Sequence, residues 1–209
     1  MPSKPRLLVA TTNAGKQREY RELLREVPAE IVFPNDLGIT LEVEEDGATF
    51  RENAAKKALA LARASGLLSL ADDSGLEVDA LGGEPGVRSS RYAGPGADDS
   101  RRRAFLLEKL RGIPAPRMAR FVCVIAIAVP GGDTSFAEGE CRGEITLAQR
   151  GSNGFGYDPI FQPEGRQVTM AELSPEEKNR ISHRARAAEA AIPILRRLLD
   201  SDSARREHP

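Results

Sequence analysis

Only two cysteines, Cys123 and Cys141, occur among the 209 residues. They are too few for a disulfide framework or a four-thiolate metal site. A long apolar run is also missing, and nothing approaches the ~20 residues needed to span a bilayer. The opening Met1-Pro2-Ser3-Lys4-Pro5-Arg6 leads into only four apolar residues, Leu7 to Ala10, fewer than a secretory signal requires. Neither sign of charge is in excess: 30 Lys and Arg face 31 Asp and Glu, for a formal net charge of -1. That balance excludes the basic surplus by which proteins coat nucleic acids or anionic membranes. The expectation is a cytoplasmic protein with both thiols reduced, bound to no membrane and to no nucleic-acid polymer. Any anion it binds must be held by a local set of donors.

What is present reads as a globular α/β chain, 40% hydrophobic and 29% charged. Arg6 to Ala10 predicts a buried strand that turns at Thr11-Thr12-Asn13-Ala14-Gly15 into a helix over about Lys16–Glu26. Glu30–Phe33 and Ile39–Val43 predict strands, and Thr49–Ala64 a helix stopped by Gly66. Leu67–Asp72 predicts a second buried strand, ending in a turn at Asp73-Ser74-Gly75. Asp98-Asp99-Ser100 can cap a helix carrying Phe105, Leu106 and Leu110 on its apolar face. Phe121–Val129 and Thr134–Leu147 around Pro130-Gly131-Gly132-Asp133 predict a long hairpin, and hence a mixed sheet. Ser174-Pro175-Glu176-Glu177 is a helix start with a capping box, and Pro193 predicts a kink or break at about 189–192.

Several segments combine residues that can carry chemistry. Thr11 to Lys16 lie at a strand-to-helix junction, where free N–H groups and one lysine suit an anion. It is not a P-loop, because Ala10 and Gln17 occupy the places where that motif needs glycine and Ser or Thr. In Ala71-Asp72-Asp73-Ser74-Gly75 the adjacent carboxylates face opposite ways along a strand. Asp73, nearest the turn, is the better candidate for a hard cation such as Mg²⁺, which takes one or two protein carboxylates. The acidic run Glu42-Val43-Glu44-Glu45-Asp46-Gly47 is a solvated loop by composition and a possible source of a second ligand. Gly154-Phe155-Gly156-Tyr157-Asp158-Pro159 presents a ring between two glycines, which suits a planar base or a strand bulge. In Lys178-Asn179-Arg180-Ile181-Ser182-His183-Arg184, one continuous helix turns His183 and Arg184 away from Lys178. One ligand can use all three only if the helix breaks near Ser182 and restarts there.

Taken in this order, the segments resemble the inosine/xanthosine triphosphate pyrophosphatase family, hydrolases that remove deaminated purine nucleotides. The matching stretches are Ala10–Lys16, Thr49–Ala54, Ala71–Leu76, Leu81–Gly86 with Ser90-Arg91-Tyr92, Gly154–Phe161, Glu177-Lys178 and Ile181–Arg184. The resemblance spans about residues 6–199. It implies a three-layer α/β/α fold on a long mixed β-sheet, with two lobes flanking an active-site cleft. It gives one such domain over 1–200, a polar tail over 201–209, and a homodimer. The implied reaction converts ITP, dITP or XTP to the nucleoside monophosphate and pyrophosphate, with Mg²⁺ as cofactor. By the same resemblance Asp73 is catalytic and binds the metal, and Thr11, Thr12, Asn13, Ala14, Gly15 and Lys16 contact the triphosphate. Ser74, Phe155, Gly156, Tyr157, Asp158, Lys178, His183 and Arg184 line the nucleotide site. The acidic loop offers both Glu44 and Glu45 as second metal ligand, with Glu44 preferred. Thr12 departs from the family pattern, which commonly has glycine there.

Overall fold

In the computed structural model, residues 4–207 are described. They form six strands and five α-helices: β1 (Arg6–Val9), α1 (Ala14–Leu23), β2 (Glu30–Val32), α2 (Phe50–Ser65), β3 (Leu68–Val78), α3 (Asp99–Lys109), β4 (Met118–Ala128), β5 (Thr134–Ile145), β6 (Phe161–Pro163), α4 (Pro175–Ile181) and α5 (His183–Glu207). The strands make one sheet in the order β2-β1-β3-β4-β5-β6. Pairing is parallel for β1 with β2 and with β3, and antiparallel for β5 with β6, so the sheet is mixed. This is the expected α/β class. No helix among the described residues is long and apolar enough to cross a membrane.

Local chemistry sets the helix starts. Asn13, Thr49, Asp98 and Ser174 each accept a backbone N–H of the first turn through the side chain. Gly66 ends α2 at φ +68, in the left-handed region that glycine enters without steric cost. Ser182 ends α4, and its Oγ accepts the Ala185 N–H at 3.1 Å, so α5 begins at His183. The break is where a shared ligand for Lys178, His183 and Arg184 needs it.

The chain forms two compact units. The first comprises Met1–Asp73, Val124–Gly139 and Arg186–Pro209; the second comprises Ser74–Cys123 and Glu140–Ala185. The first is packed around Leu7, Leu8, Tyr20, Leu24, Phe33, Ala58, Leu70, Ile125 and Leu195, all fully buried. The second has its own core, in which Leu76, Leu106, Leu110, Phe121, Ile160, Phe161 and Met170 pack together. Cys123 and Cys141 are buried thiols with no disulfide.

The structure corrects several local expectations. Ile39–Val43 is not a strand, because an alternating pattern creates no ladder without an edge to pair with. The strand expected to stop at Asp72 runs on through Asp73-Ser74-Gly75 to Val78. Turn-forming composition yields there to a strand in the middle of the sheet. Of the kink or break expected at about 189–192, the break does not occur, since α5 is continuous past Pro193; buried Ala187, Ala188, Ala191, Leu195 and Leu199 supply the packing that offsets one missing hydrogen bond. The polar tail expected over 201–209 is helical to Glu207, and the rest of it lies outside the described residues, as do Met1 to Ser3.

Gly143 lies opposite Pro163 in the β5–β6 ladder. A Cβ at that position would fall 2.2 Å from the Gln162 carbonyl oxygen. Gly143→Ala is therefore expected to lower unfolding stability by about 1–3 kcal/mol, the usual cost of overpacking. A urea midpoint equal to that of the unaltered chain would contradict the close approach.

Candidate functional site

The first unit gathers its polar side chains around β3. Asp72 and Asp73 are both buried there, at 2% and 6% exposure, and they take different partners. Asp72 holds Lys16 Nζ at 2.9 Å from Oδ2. Asn53 Nδ2 donates to Asp73 Oδ2 at 2.9 Å, while Asn53 Oδ1 accepts the Gly47 N–H at 2.8 Å. One fully buried amide thus ties the acidic loop to the Asp73 carboxylate. Gly47 permits this approach, because a Cβ there would sit 2.6 Å from Asn53 Oδ1.

Lys57 completes the cluster from α2. Its Nζ donates to the Asp72 carbonyl at 2.7 Å and to Glu45 Oε1 at 2.9 Å. Burial alone would lower its proton affinity, but Asp72, Glu45 and Asp73 together hold the ammonium above its ordinary pKa. Burial pushes the Asp73 carboxyl up from its usual range; Lys57 and the Asn53 amide oppose that rise, Glu45 adds to it, and Lys16 opposes it. Asp73 is thus a carboxylate with increased basicity.

The junction before α1 is built from local hydrogen bonds. Asn13 Oδ1 accepts the Lys16 N–H at 3.0 Å, Asn13 N–H donates to Thr11 Oγ1 at 3.2 Å, and Gln17 Nε2 donates to the Thr11 carbonyl at 3.0 Å. Thr12, Asn13 and Ala14 are exposed. Lys16 is turned toward Asp72, so the sequence segment and the carboxylate strand belong to one cluster.

For a divalent cation, the donors to consider are Asp73 and the acidic loop. Among the described residues, no three His, Cys, Asp or Glu side chains form a metal cage. Glu45 is half-buried and its charge acts on Asp73, whereas Glu44 is exposed and its charge acts on Lys56. Two mutually repelling carboxylates fit Mg²⁺, which commonly keeps one or two protein ligands and fills the rest with phosphate oxygens and water. This geometry favours Glu45 over Glu44.

In the second unit, the residues around Phe155 form a separate cluster. Gly154 adopts φ +74, and a Cβ on it would lie 2.1 Å from Asp158 Oδ2. That oxygen accepts the Phe155 N–H at 2.9 Å and binds Lys178 Nζ at 2.6 Å. Lys178 Nζ lies 4.6 Å from the Phe155 ring centroid and Arg184 Cζ lies 5.6 Å from it, both over the ring. Arg184, 1% exposed, donates from Nη2 to Ser74 Oγ at 2.9 Å. Ser74, Phe155, Asp158, Lys178 and Arg184 are therefore together.

His183 stacks on Phe121 with centroids 4.7 Å apart. Tyr157 is buried, and its hydroxyl donates to the Ser89 carbonyl at 2.9 Å. Burial is the main cause that raises its pKa. Tyr157 therefore anchors the loop from beneath. The Gly156 N–H donates to Asp99 Oδ2 at 2.7 Å. Burial would raise the Asp99 carboxyl, but the Gly156 amide and Arg102 hold it below its usual range.

Asn53, Lys57, Asp72 and Asp99 carry interactions to which the sequence reading gave no role. For α2 a signal existed. Asn53 and Lys57 fall at the same helical spacing as buried Phe50, Ala54, Ala58 and Leu61, so two polar residues interrupt the apolar stripe.

The Ham1 family model matches residues 7–194. A dITP/XTP pyrophosphatase of Desulforamulus reducens is 53% identical over 194 residues, covering 92% of this chain and 96% of the relative. The solved HAM1 protein of Coxiella burnetii superimposes with a TM-score of 0.83 at 43% identity, over 91% of this chain and 98% of that one. A nucleoside-triphosphatase, dITP/XTP pyrophosphatase, of Mycobacterium abscessus gives a TM-score of 0.73 at 45% identity, over 90% and 99%.

Replacing Asn53 by alanine removes one buried donor and one buried acceptor. The expected loss of stability is about 1–3 kcal/mol, the cost of leaving a buried polar group unsatisfied. Thermal unfolding checks it, and an unchanged melting temperature would contradict the bridging role.

Proposed function

The chain belongs to the Ham1 family, and from that premise we propose that it hydrolyses deaminated purine nucleoside triphosphates, ITP, dITP and XTP, to the monophosphate and pyrophosphate. The observation that carries this reading is Asp73: a buried carboxylate of raised basicity, fixed by Asn53 and flanked by the influence of Lys57 and Lys16. Such a group suits proton abstraction from water beside a polyanion.

Water attacks the α-phosphorus, its proton passes to Asp73, and the bond from that phosphorus to the oxygen bridging the α and β phosphates breaks to release pyrophosphate. Asn53 holds Asp73 Oδ2, which fixes how the carboxylate is presented to the water. Lys16 and the N–H groups at the start of α1, from Thr11 to Lys16, bind the polyphosphate and stabilise charge on the leaving group. Losing one such donor typically costs about 10²–10³ in rate. Lys57, kept protonated by three carboxylates, prevents the acidic cluster from repelling the substrate. Mg²⁺ held by Asp73 and Glu45 would neutralise phosphate charge and polarise the water.

By the family resemblance, the residues around Phe155 take the base. Phe155 offers a ring face for stacking, and Lys178, committed to Asp158 and that ring, belongs to this base-holding group. Arg184 supplies buried donors suited to the 6-oxo group of hypoxanthine and xanthine, and adenine would leave them unpaired. A site built around such a hydrogen bond discriminates by about 10⁴–10⁵. His183, packed on Phe121, sets the start of α5 and with it the Arg184 position. A cytoplasmic setting and a homodimer belong to the same reading.

Pyrophosphate release from a nucleotide panel, with and without magnesium, tests the substrate class. ITP, dITP and XTP are expected to be preferred, and preference for UTP or TTP derivatives would overturn the purine assignment. Asp73→Asn is expected to retain the fold and lose turnover by at least about 100-fold, within the range for a general base. Near-normal hydrolysis by that variant would reject Asp73 as the base.

A further inference from the structure

Phe155 stands between two glycines in the left-handed region, Gly154 at φ +74 and Gly156 at φ +61. Glycine loses more backbone freedom on ordering than any other residue, so a ring hinged on two of them needs restraint. On the Gly154 side the restraint is Asp158, through the Phe155 N–H. On the other side both backbone polar groups of Gly156 are held from α3. Asp99 Oδ2 accepts its N–H at 2.7 Å, and Arg103 Nη1 donates to its carbonyl at 2.8 Å. Asp99 and Arg103 are four residues apart and so lie on one face of the helix.

Both clamping side chains are themselves oriented. Arg102 pairs with Asp99 and donates to the carbonyls of Ala97 and Ser90, the latter at 2.8 Å. Arg103 Nε donates to Gln149 Oε1 at 2.8 Å. A Cβ on Gly156 would meet nothing within 4 Å. Its two backbone polar groups are held by these polar contacts.

We propose that Asp99 and Arg103 are positioning residues for nucleobase recognition, gripping the Gly156 peptide from α3 so that the Phe155 ring is set as a stacking platform before substrate arrives. The proposal rests on the purine reading given above and adds to it the residues that preorganise the platform. Preorganisation lowers the cost of binding, so its loss falls on KM, while the chemistry at Asp73 proceeds unchanged.

The test is steady-state ITP hydrolysis by Asp99→Ala, Arg103→Ala and Asp99→Asn, with melting temperatures taken alongside. Each alanine variant is expected to raise KM about tenfold, or about 1.4 kcal/mol, with kcat within about twofold of the unaltered enzyme. Asp99→Asn keeps one oxygen to accept the Gly156 N–H but turns an amide donor toward Arg102, and is expected to raise KM less than Asp99→Ala does. Unchanged KM in both alanine variants overturns the clamp, as does a fall in kcat that parallels a loss of melting temperature. Asp99→Asn behaving like Asp99→Ala also overturns it. If the unaltered chain hydrolyses no ITP, the purine reading fails, and the proposal with it. If it hydrolyses ITP and the variants match it, only the clamp fails.

Discussion

The chemistry proposed for this chain depends on keeping a carboxylate out of water yet able to ionise. Burial of Asp73 raises its proton affinity, because a desolvated carboxylate disfavours its charged form. The Asn53 amide and the charges of Lys57 and Lys16 act in the opposite direction. The outcome is a group more basic than an exposed aspartate and restricted in orientation. The lysines have their own dependence on the acids: burial lowers the proton affinity of Lys57, and Asp72, Glu45 and Asp73 more than offset it. The cluster is therefore mutually dependent, and removing any one charge alters the protonation of the others.

Asn53 has a particular place in it. A carboxylate or a lysine at that position would add another charge to the balance, while an apolar residue would leave Gly47 N–H without its acceptor. An amide donates to Asp73 and accepts from the acidic loop at once. It joins the two candidate metal-binding segments through neutral hydrogen bonds, and glycine at 47 is the residue that lets the loop come close enough.

Much of this was legible in the chain. Helix caps at Asp98 and Ser174 stand at their expected places, and α4 does end at Ser182, because each depends on chemistry within a few residues. The segments around Lys16, Asp73, Phe155, Lys178 and Arg184 were recognisable by their composition. What escaped has long reach or competing local signals. Asp-Ser-Gly composition favours a turn, but a place in mid-sheet carries β3 through it. Pro193 reads as a kink or break, and the buried face of α5 keeps the helix continuous past it. Lys57 and Asn53 interrupt an apolar stripe, and their partners Asp72, Glu45 and Asp73 lie on other segments of the chain. The grip of Asp99 and Arg103 on Gly156 spans 57 and 53 residues of chain, and no periodicity reports a contact at that separation.

The central claim is that Asn53 acts on the reaction through Asp73, and a double-mutant cycle on kcat measures this directly. Groups that work as one unit give losses far from additive. Adding Asn53→Ala to Asp73→Asn should cause almost no further fall in kcat, although Asn53→Ala alone slows turnover. Losses that multiply in the double variant would contradict the account.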